Sequence, residues 1–160
     1  MLKAKLMGRK LPVVPTGLIQ FSMNKTVYSS IEQIARKWKC PVGEAARGVE
    51  TGRILVVDDI ESTRDLLARR LGAAGHRVTQ AEGGGTALQL LEAGDFDLVL
   101  LDLMMPDMNS FEVLARMKAD DRLRDIPVIM ISALDEMDSV VRCIEAGAED
   151  YLPKPFDPVL

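Results

Sequence analysis

Short apolar runs alternate with longer stretches in which apolar residues recur every three or four positions, and the alternation begins at Arg53. Ile54-Leu55-Val56-Val57 is a compact β-strand candidate closed by Asp58-Asp59. Glu61 to Ala74 has helical spacing, with Leu66, Leu67 and Leu71 toward a core, and Gly75 stops it. Arg77 to Ala81 is a weaker strand, and Gly84 to Ala93 a second helix with Ala87, Leu90 and Leu91 inward. Leu98 to Leu101 is a continuous apolar strand ending at Asp102, followed by a helix from Ser110 to Lys118. Pro127 to Ile131 ends at Ser132, Asp135 to Ala146 is a fourth helix stopped by Gly147, and Asp150-Tyr151-Leu152 is a fifth strand. Fully apolar strands separated by helices predict an α/β domain whose parallel sheet is covered on both faces. Right-handed crossovers then leave few topologies.

Upstream of Arg53 the pattern is different. Residues 1–24 show no clean period. Ser29-x-x-Glu32 has capping-box spacing, and Ile31, Ile34, Ala35 and Trp38 share one helical face, so a helix is predicted over 30–40. Pro41 fits its stop, and residues 41–52 read as a linker. The chain of 160 residues therefore divides into an extension, 1–50, and a domain, 51–160. Charge sharpens that division. The formal net charge is −4, but residues 1–50 carry nine Lys/Arg against three Glu, a net +6, and the remainder a net −10. An acidic domain is a poor direct binder of nucleic acid, which needs clustered Lys/Arg.

Other classes fall away. Cys40 and Cys143 form no C-x-x-C pair, and His76 is the only histidine, which argues against a disulfide scaffold, a zinc site or a His-based metal site. Cys143 reads as a helix-packing residue and His76 as a loop residue. No apolar run is long enough to span a membrane. The basic start before Leu11-Pro12-Val13-Val14-Pro15 only faintly suggests a signal peptide, because prolines interrupt it and no cleavage site follows. The cytoplasm is the expected compartment.

In a doubly wound sheet the ligand sits beyond the carboxyl ends of the strands. Those ends carry Asp58 and Asp59, Asp102, Ser132, and, near the fifth, Lys154. Three carboxylates suit a hard divalent cation such as Mg²⁺, and crowding them without one raises at least one pKa. A hydroxyl and an ammonium suit a phosphoryl group, and an Asp carboxylate can be the nucleophile that accepts it. Taken singly, each residue has a plainer reading: a solvated helix start for Asp58-Asp59, a turn former for Asp102, a surface lysine for Lys154, core packing for Tyr151. Their joint placement on one rim carries the argument.

The runs Val56-Val57-Asp58-Asp59, Leu100-Leu101-Asp102-Leu103-Met104-Met105-Pro106, Ile131-Ser132-Ala133 and Tyr151-Leu152-Pro153-Lys154-Pro155-Phe156 resemble response regulator receiver domains, the CheY-like family, over residues 53 to about 158. The resemblance implies a five-stranded flavodoxin-like sheet of order 2-1-3-4-5. It implies that Asp102 accepts a phosphoryl group from a sensor histidine kinase or phosphotransfer protein. Mg²⁺ would be held by Asp59 directly, by Asp58 largely through water, by Asp102 and by the backbone carbonyl of Met104. Lys154 would pair with the phosphoryl oxygens, Ser132 would move to hydrogen-bond them, and Tyr151 would turn inward as the switch aromatic. Pro155 would follow a cis peptide. Such a domain is not an enzyme acting on separate substrates; it passes its state to a downstream protein or a fused output domain.

Departures from the family pattern generate further expectations. Ser110 stands where the family usually has Gly; it either strains a left-handed backbone or serves as an N-cap. Ser132 replaces the commoner Thr. Asp157-Pro158 is a good start for a last helix, but the sequence stops at Leu160, so the expected fold lacks that helix. Apolar surface beside the first and fifth strands would then be bare unless covered, and the 30–40 helix could cover it through Ile31, Ile34 and Trp38. Gly83-Gly84-Gly85 lacks the spacing of a dinucleotide fingerprint. Met104 and Leu134 offer no strong hydrogen bond to a hydrolytic water, which predicts slow loss of the phosphoryl group. A haloacid-dehalogenase-type phosphatase would need a second Asp where Met104 stands. A phosphorylation-independent docking scaffold is the alternative reading.

Overall fold

A computed structural model describes residues 51–133 and 137–154. The predicted helix over 30–40, residues 41–50 of the linker, Leu134, Pro155 and the Asp157-Pro158 start lie outside the described residues. The elements are β1 (Arg53–Val57), α1 (Glu61–Ala73), β2 (Arg77–Ala81), α2 (Gly84–Ala93), β3 (Leu98–Asp102), α3 (Ser110–Ala119), β4 (Val128–Ala133), α4 (Met137–Glu145) and β5 (Asp150–Lys154). All strands are parallel, in the order β2-β1-β3-β4-β5. The doubly wound reading of the alternation is therefore correct.

The sheet separates two cores because successive side chains of a strand face opposite ways. Leu55, Val57, Val99, Leu101, Val128 and Met130 join residues of α2, α3 and α4 on one face. Ile54, Val56, Leu98, Leu100, Ile129, Ile131 and Leu152 join Leu67 and Leu71 of α1 on the other. That second face is not bare at either β1 or β5, since Ile54 and Val56 are 2% and 0% exposed and Leu152 is 3% exposed. One predicted core residue is displaced: Leu66 of α1 is exposed. Adjacent leucines at 66 and 67 sit about 100° apart on a helix, and only Leu67 falls on the stripe with Leu71.

One boundary and one residue role differ from the expectation, and both bear on the rim. β5 continues through Pro153 and Lys154, which pair in register with Ser132 and Ala133. A proline is tolerated there because β5 is the edge strand. At the start of α3, Asn109 is the N-cap, its side chain accepting from the Phe111 N–H. Ser110 is neither a cap nor in a left-handed conformation; it is the first helical residue, fully buried. Its hydroxyl donates to the carbonyls of Asp102 and Leu103, pinning α3 to the carboxyl end of β3.

The glycine run has a packing reason. A Cβ on Gly83 would run into the Asp107 carboxylate, and one on Gly84 would stand 2.7 Å from Val113 and 2.9 Å from Met108. The loop after β3 thus lies directly against the start of α2. Cys143 is buried in the first core, which pushes its thiol up to about 11. His76 is half-buried, and its Nδ1 accepts from the Gly52 N–H.

Replacing Ser110 by Ala leaves two buried carbonyls without their hydroxyl donor. Urea unfolding of Ser110→Ala should show a loss of roughly 1–3 kcal/mol; an unchanged midpoint would mean that the hydroxyl does not hold the β3–α3 junction.

Candidate functional site

Parallel strands present their carboxyl ends on one rim, and here the chain reverses its winding between β1 and β3. Asp58 follows β1 directly, and Asp102 is the last residue of β3. A buried apolar run precedes each carboxylate, Ile54–Val57 before Asp58 and Leu98–Leu101 before Asp102, and anchors these ends in the core. Asp58 is completely buried and Asp102 is 3% exposed, whereas Asp59 points outward and is exposed. One carboxylate oxygen from each of the three lies within 4.8 Å of the others.

Lys154 enters from the edge strand. Its Nζ donates to Asp58 Oδ2 at 2.8 Å and lies 3.2 Å from Asp102 Oδ1. The other Asp58 oxygen accepts the Ile60 N–H at 2.8 Å, so both oxygens of this buried carboxylate are engaged. Arg64 of α1 donates to the Asp58 carbonyl at 2.8 Å, a second tie between the helix and this turn. Sequence patterning did not reveal Arg64 or the second role of Ser110. Both act through backbone carbonyls, and residue spacing carries no signal for that.

The electrostatics follow from this packing. Burial pushes the Asp102 carboxyl up to about 6, with the neighbouring Asp58 adding to the rise and Lys154 only partly opposing it. Burial works against the Lys154 ammonium, but its hydrogen bond to Asp58 and the charges of Asp102 and Asp58 hold it above its ordinary value. Three carboxylates and one ammonium leave two net negative charges in a small volume. At an effective dielectric of about 20, like charges 4–5 Å apart repel by roughly 3–4 kcal/mol. All the available donors are hard oxygens, so the cluster fits a divalent cation of the Mg²⁺ or Ca²⁺ type.

The remaining predicted residues lie around this cluster. Ser132 is buried at the end of β4, and its hydroxyl donates to the Ala133 carbonyl at 2.9 Å rather than into the acidic cluster. Tyr151 is half-buried against the core that contains α2, α3 and α4, on the residue paired with Met130. Met104 is 63% exposed, two residues beyond Asp102. The structure thus brings together Asp58, Asp59, Asp102 and Lys154, and leaves Ser132 and Tyr151 nearby but unjoined to them.

Comparison with known proteins agrees with this geometry. Residues 54–159 match the response regulator receiver domain. Response regulator PleD of Caulobacter vibrioides is 44% identical over 110 residues, which cover 69% of this chain and 24% of PleD. Chemotaxis protein CheY-3 of Vibrio cholerae is 38% identical over 105 residues, 65% of this chain and 81% of that protein. The chain therefore spans under a quarter of PleD but most of CheY-3. Among solved structures, the response regulator TrrA of Thermotoga maritima in complex with Mg²⁺ and BeF superposes with a TM-score of 0.60 at 34% identity, over 67% of this chain and 90% of TrrA.

The raised pKa of Asp102 has a testable sign. Its carboxyl holds a proton more tightly folded than unfolded, so its contribution to stability falls as pH rises from about 4 to about 6. In EDTA, Asp102→Asn should be more stable than wild type by about 1–3 kcal/mol at pH 7. The difference should close below about pH 4, where the carboxyl is protonated in both states. Urea titrations at several pH values measure this, and a pH-independent difference would exclude the buried Asp102 charge as its cause.

Proposed function

The chain belongs to the response regulator receiver family, and on that premise we propose that Asp102 is the phosphoacceptor of a two-component relay. The observation that carries the reading is the buried Asp102 carboxylate facing Lys154 at 3.2 Å, with the Asp58 and Asp59 oxygens alongside. An Asp102 oxygen attacks the phosphorus of a phosphohistidine on a sensor histidine kinase or phosphotransfer protein. The P–O bond forms as the P–N bond breaks, and the electron pair leaves with the donor imidazole. Lys154 is placed to take up charge on the transferred group, which requires it to move from Asp58 toward the new phosphoryl oxygens.

Asp59, Asp102 and the carbonyl of Met104 would hold the divalent cation, read here as Mg²⁺. Asp58, buried and bound to Lys154, acts through water. Bound there, Mg²⁺ supplies positive charge to the phosphoryl oxygens. After transfer, the Ser132 hydroxyl leaves the Ala133 carbonyl for a phosphoryl oxygen, and Tyr151 turns toward the space it vacates. The output is a changed protein-contact surface, read by a downstream protein or a further domain. The domain turns over no separate substrate beyond slow hydrolysis of its own acyl phosphate. Its expected compartment is the cytoplasm, where relay kinases present their phosphohistidine; among the described residues no helix is long and apolar enough to cross a membrane.

Incubation with labelled acetyl phosphate and Mg²⁺ tests this reading. Wild type should take up one acid-stable, base-labile label, Asp102→Asn none, and Lys154→Ala should label roughly 100-fold more slowly. A folded wild-type chain that stays unlabelled would instead favour a docking scaffold. Loss of label should be slow, and Met104→Asn, which offers a hydrogen bond to the attacking water, should accelerate it several-fold in a time course after donor removal.

A further inference from the structure

Seven residues, 103–109, connect β3 to α3 and include Met104, whose carbonyl is assigned above to the cation. The side chain of Met104 gives this carbonyl no anchor, since the residue is 63% exposed. The fastening comes from the residues around it. The Leu103 N–H donates to the Ile131 carbonyl at 2.8 Å, so the chain is still tied to β4 there. On the other side of the same peptide group, the Asp102 carbonyl accepts from the Ser110 hydroxyl, and the Leu103 carbonyl accepts from it at 3.1 Å. The peptide groups before and after Leu103 are therefore both held. The direction of the Met104 carbonyl is left to the backbone torsions of Met104 alone.

The rest of the loop is stiff by composition and by packing. Pro106 fixes its own φ and keeps Met105 out of the helical region. Met108 is pressed against the start of α2, where a Cβ on Gly84 would stand 2.9 Å from the Met108 Cβ. Asn109 caps α3 by accepting the Phe111 N–H at 3.0 Å. Ser110, fully buried as the first residue of α3, closes the loop at its neck.

We infer that Ser110 is a positioning residue for the divalent cation: its hydroxyl, together with the close approach at Gly84, presets the Met104 carbonyl as a ligand. The inference rests on the reading that Asp59, Asp102 and the Met104 carbonyl hold Mg²⁺, and it deepens that reading. Ser110 acts through the main-chain carbonyls of Asp102 and Leu103 and is not itself a ligand. A carbonyl on a loose loop must be ordered as the cation binds, and that ordering subtracts from affinity; a carbonyl already held avoids the loss. The hydroxyl also grips the backbone of Asp102, so two of the three ligands share one fastening. Glycine at 110 could not make this tie, and alanine would occupy the site without the donor.

The test is the urea midpoint of the full, unphosphorylated chain, followed from EDTA through rising Mg²⁺. Binding to the folded chain alone raises the midpoint with Mg²⁺ concentration, so the rise reports affinity separately from each variant's starting stability. Ser110→Ala and Ser110→Gly should each need roughly 10-fold more Mg²⁺ than wild type for the same gain. Gly84→Ala, which forces Met108 aside, should weaken the response too, whereas Gly85→Ala, whose added methyl meets nothing within 4 Å, should leave it unchanged. Leu114→Ala, buried one turn further along α3, should lower the midpoint in EDTA but keep the wild-type response to Mg²⁺. A wild-type response in both Ser110 variants would overturn the inference and leave the metal reading standing. An equal weakening in Leu114→Ala would also overturn it, because any loosening of α3 would then suffice. A wild-type midpoint that ignores Mg²⁺ would overturn the metal reading and this inference with it.

Discussion

The structure is organised around one ammonium between two buried carboxylates. Lys154 neutralises Asp58 at 2.8 Å and only partly relieves Asp102 at 3.2 Å. A fully buried carboxylate is expensive unless it is paired and hydrogen-bonded, and Asp58 is both, through Lys154 and the Ile60 N–H. Asp102 is left as the under-compensated partner, which is why its carboxyl is held up near 6. A surplus of negative charge in a rigid pocket is a stored demand for cations. The same feature makes the pocket receptive to a metal and leaves an ammonium ready to follow charge that arrives on Asp102.

Rigidity comes from both sides of the sheet. The β3 end is fixed by its burial and by the Ser110 hydroxyl at the carbonyls of Asp102 and Leu103, and the β1 turn by Asp58 and Arg64. The loop after β3 is pressed against Gly83 and Gly84, where any side chain would collide. By contrast, Ser132 spends its hydroxyl on a neighbouring carbonyl, and Tyr151 is only half-buried. Groups that hold the charge cluster are fastened by several contacts, while the two beside it are held by few. That division between fixed and movable parts suits a pocket whose surroundings must respond to what it holds.

Much of this was legible in the sequence. Alternating apolar runs and helical stripes located the five strands and the four helices after Arg53, and the residues closing each strand marked the rim. What escaped was of two kinds. Neighbouring candidates on one helix, Leu66 and Leu67, cannot be separated by hydropathy alone, and only the angle to Leu71 decides which is buried. Roles exerted on backbone carbonyls leave no pattern, so Ser110 read as a cap or a strained residue and Arg64 as nothing in particular. The extension of β5 through Pro153 was hidden because proline normally marks a strand's end, yet at a sheet edge its missing N–H is tolerated. Asp58, Asp59, Asp102 and Lys154 were found because they stand at strand ends that share one rim.

The pairing of Asp58 with Lys154 joins residues 96 positions apart, from the first strand to the last. A ribosome makes Asp58 and Asp102 long before Lys154, so the nascent domain passes through a stage in which both acids exist and their counter-charge does not. Two uncompensated carboxylates then oppose closure of the β1–β3 rim, and that opposition is relieved when the edge strand docks. Completion of the pocket is therefore coupled to completion of the sheet. A chain interrupted before Lys154 carries the acceptor carboxylate but not its counter-charge.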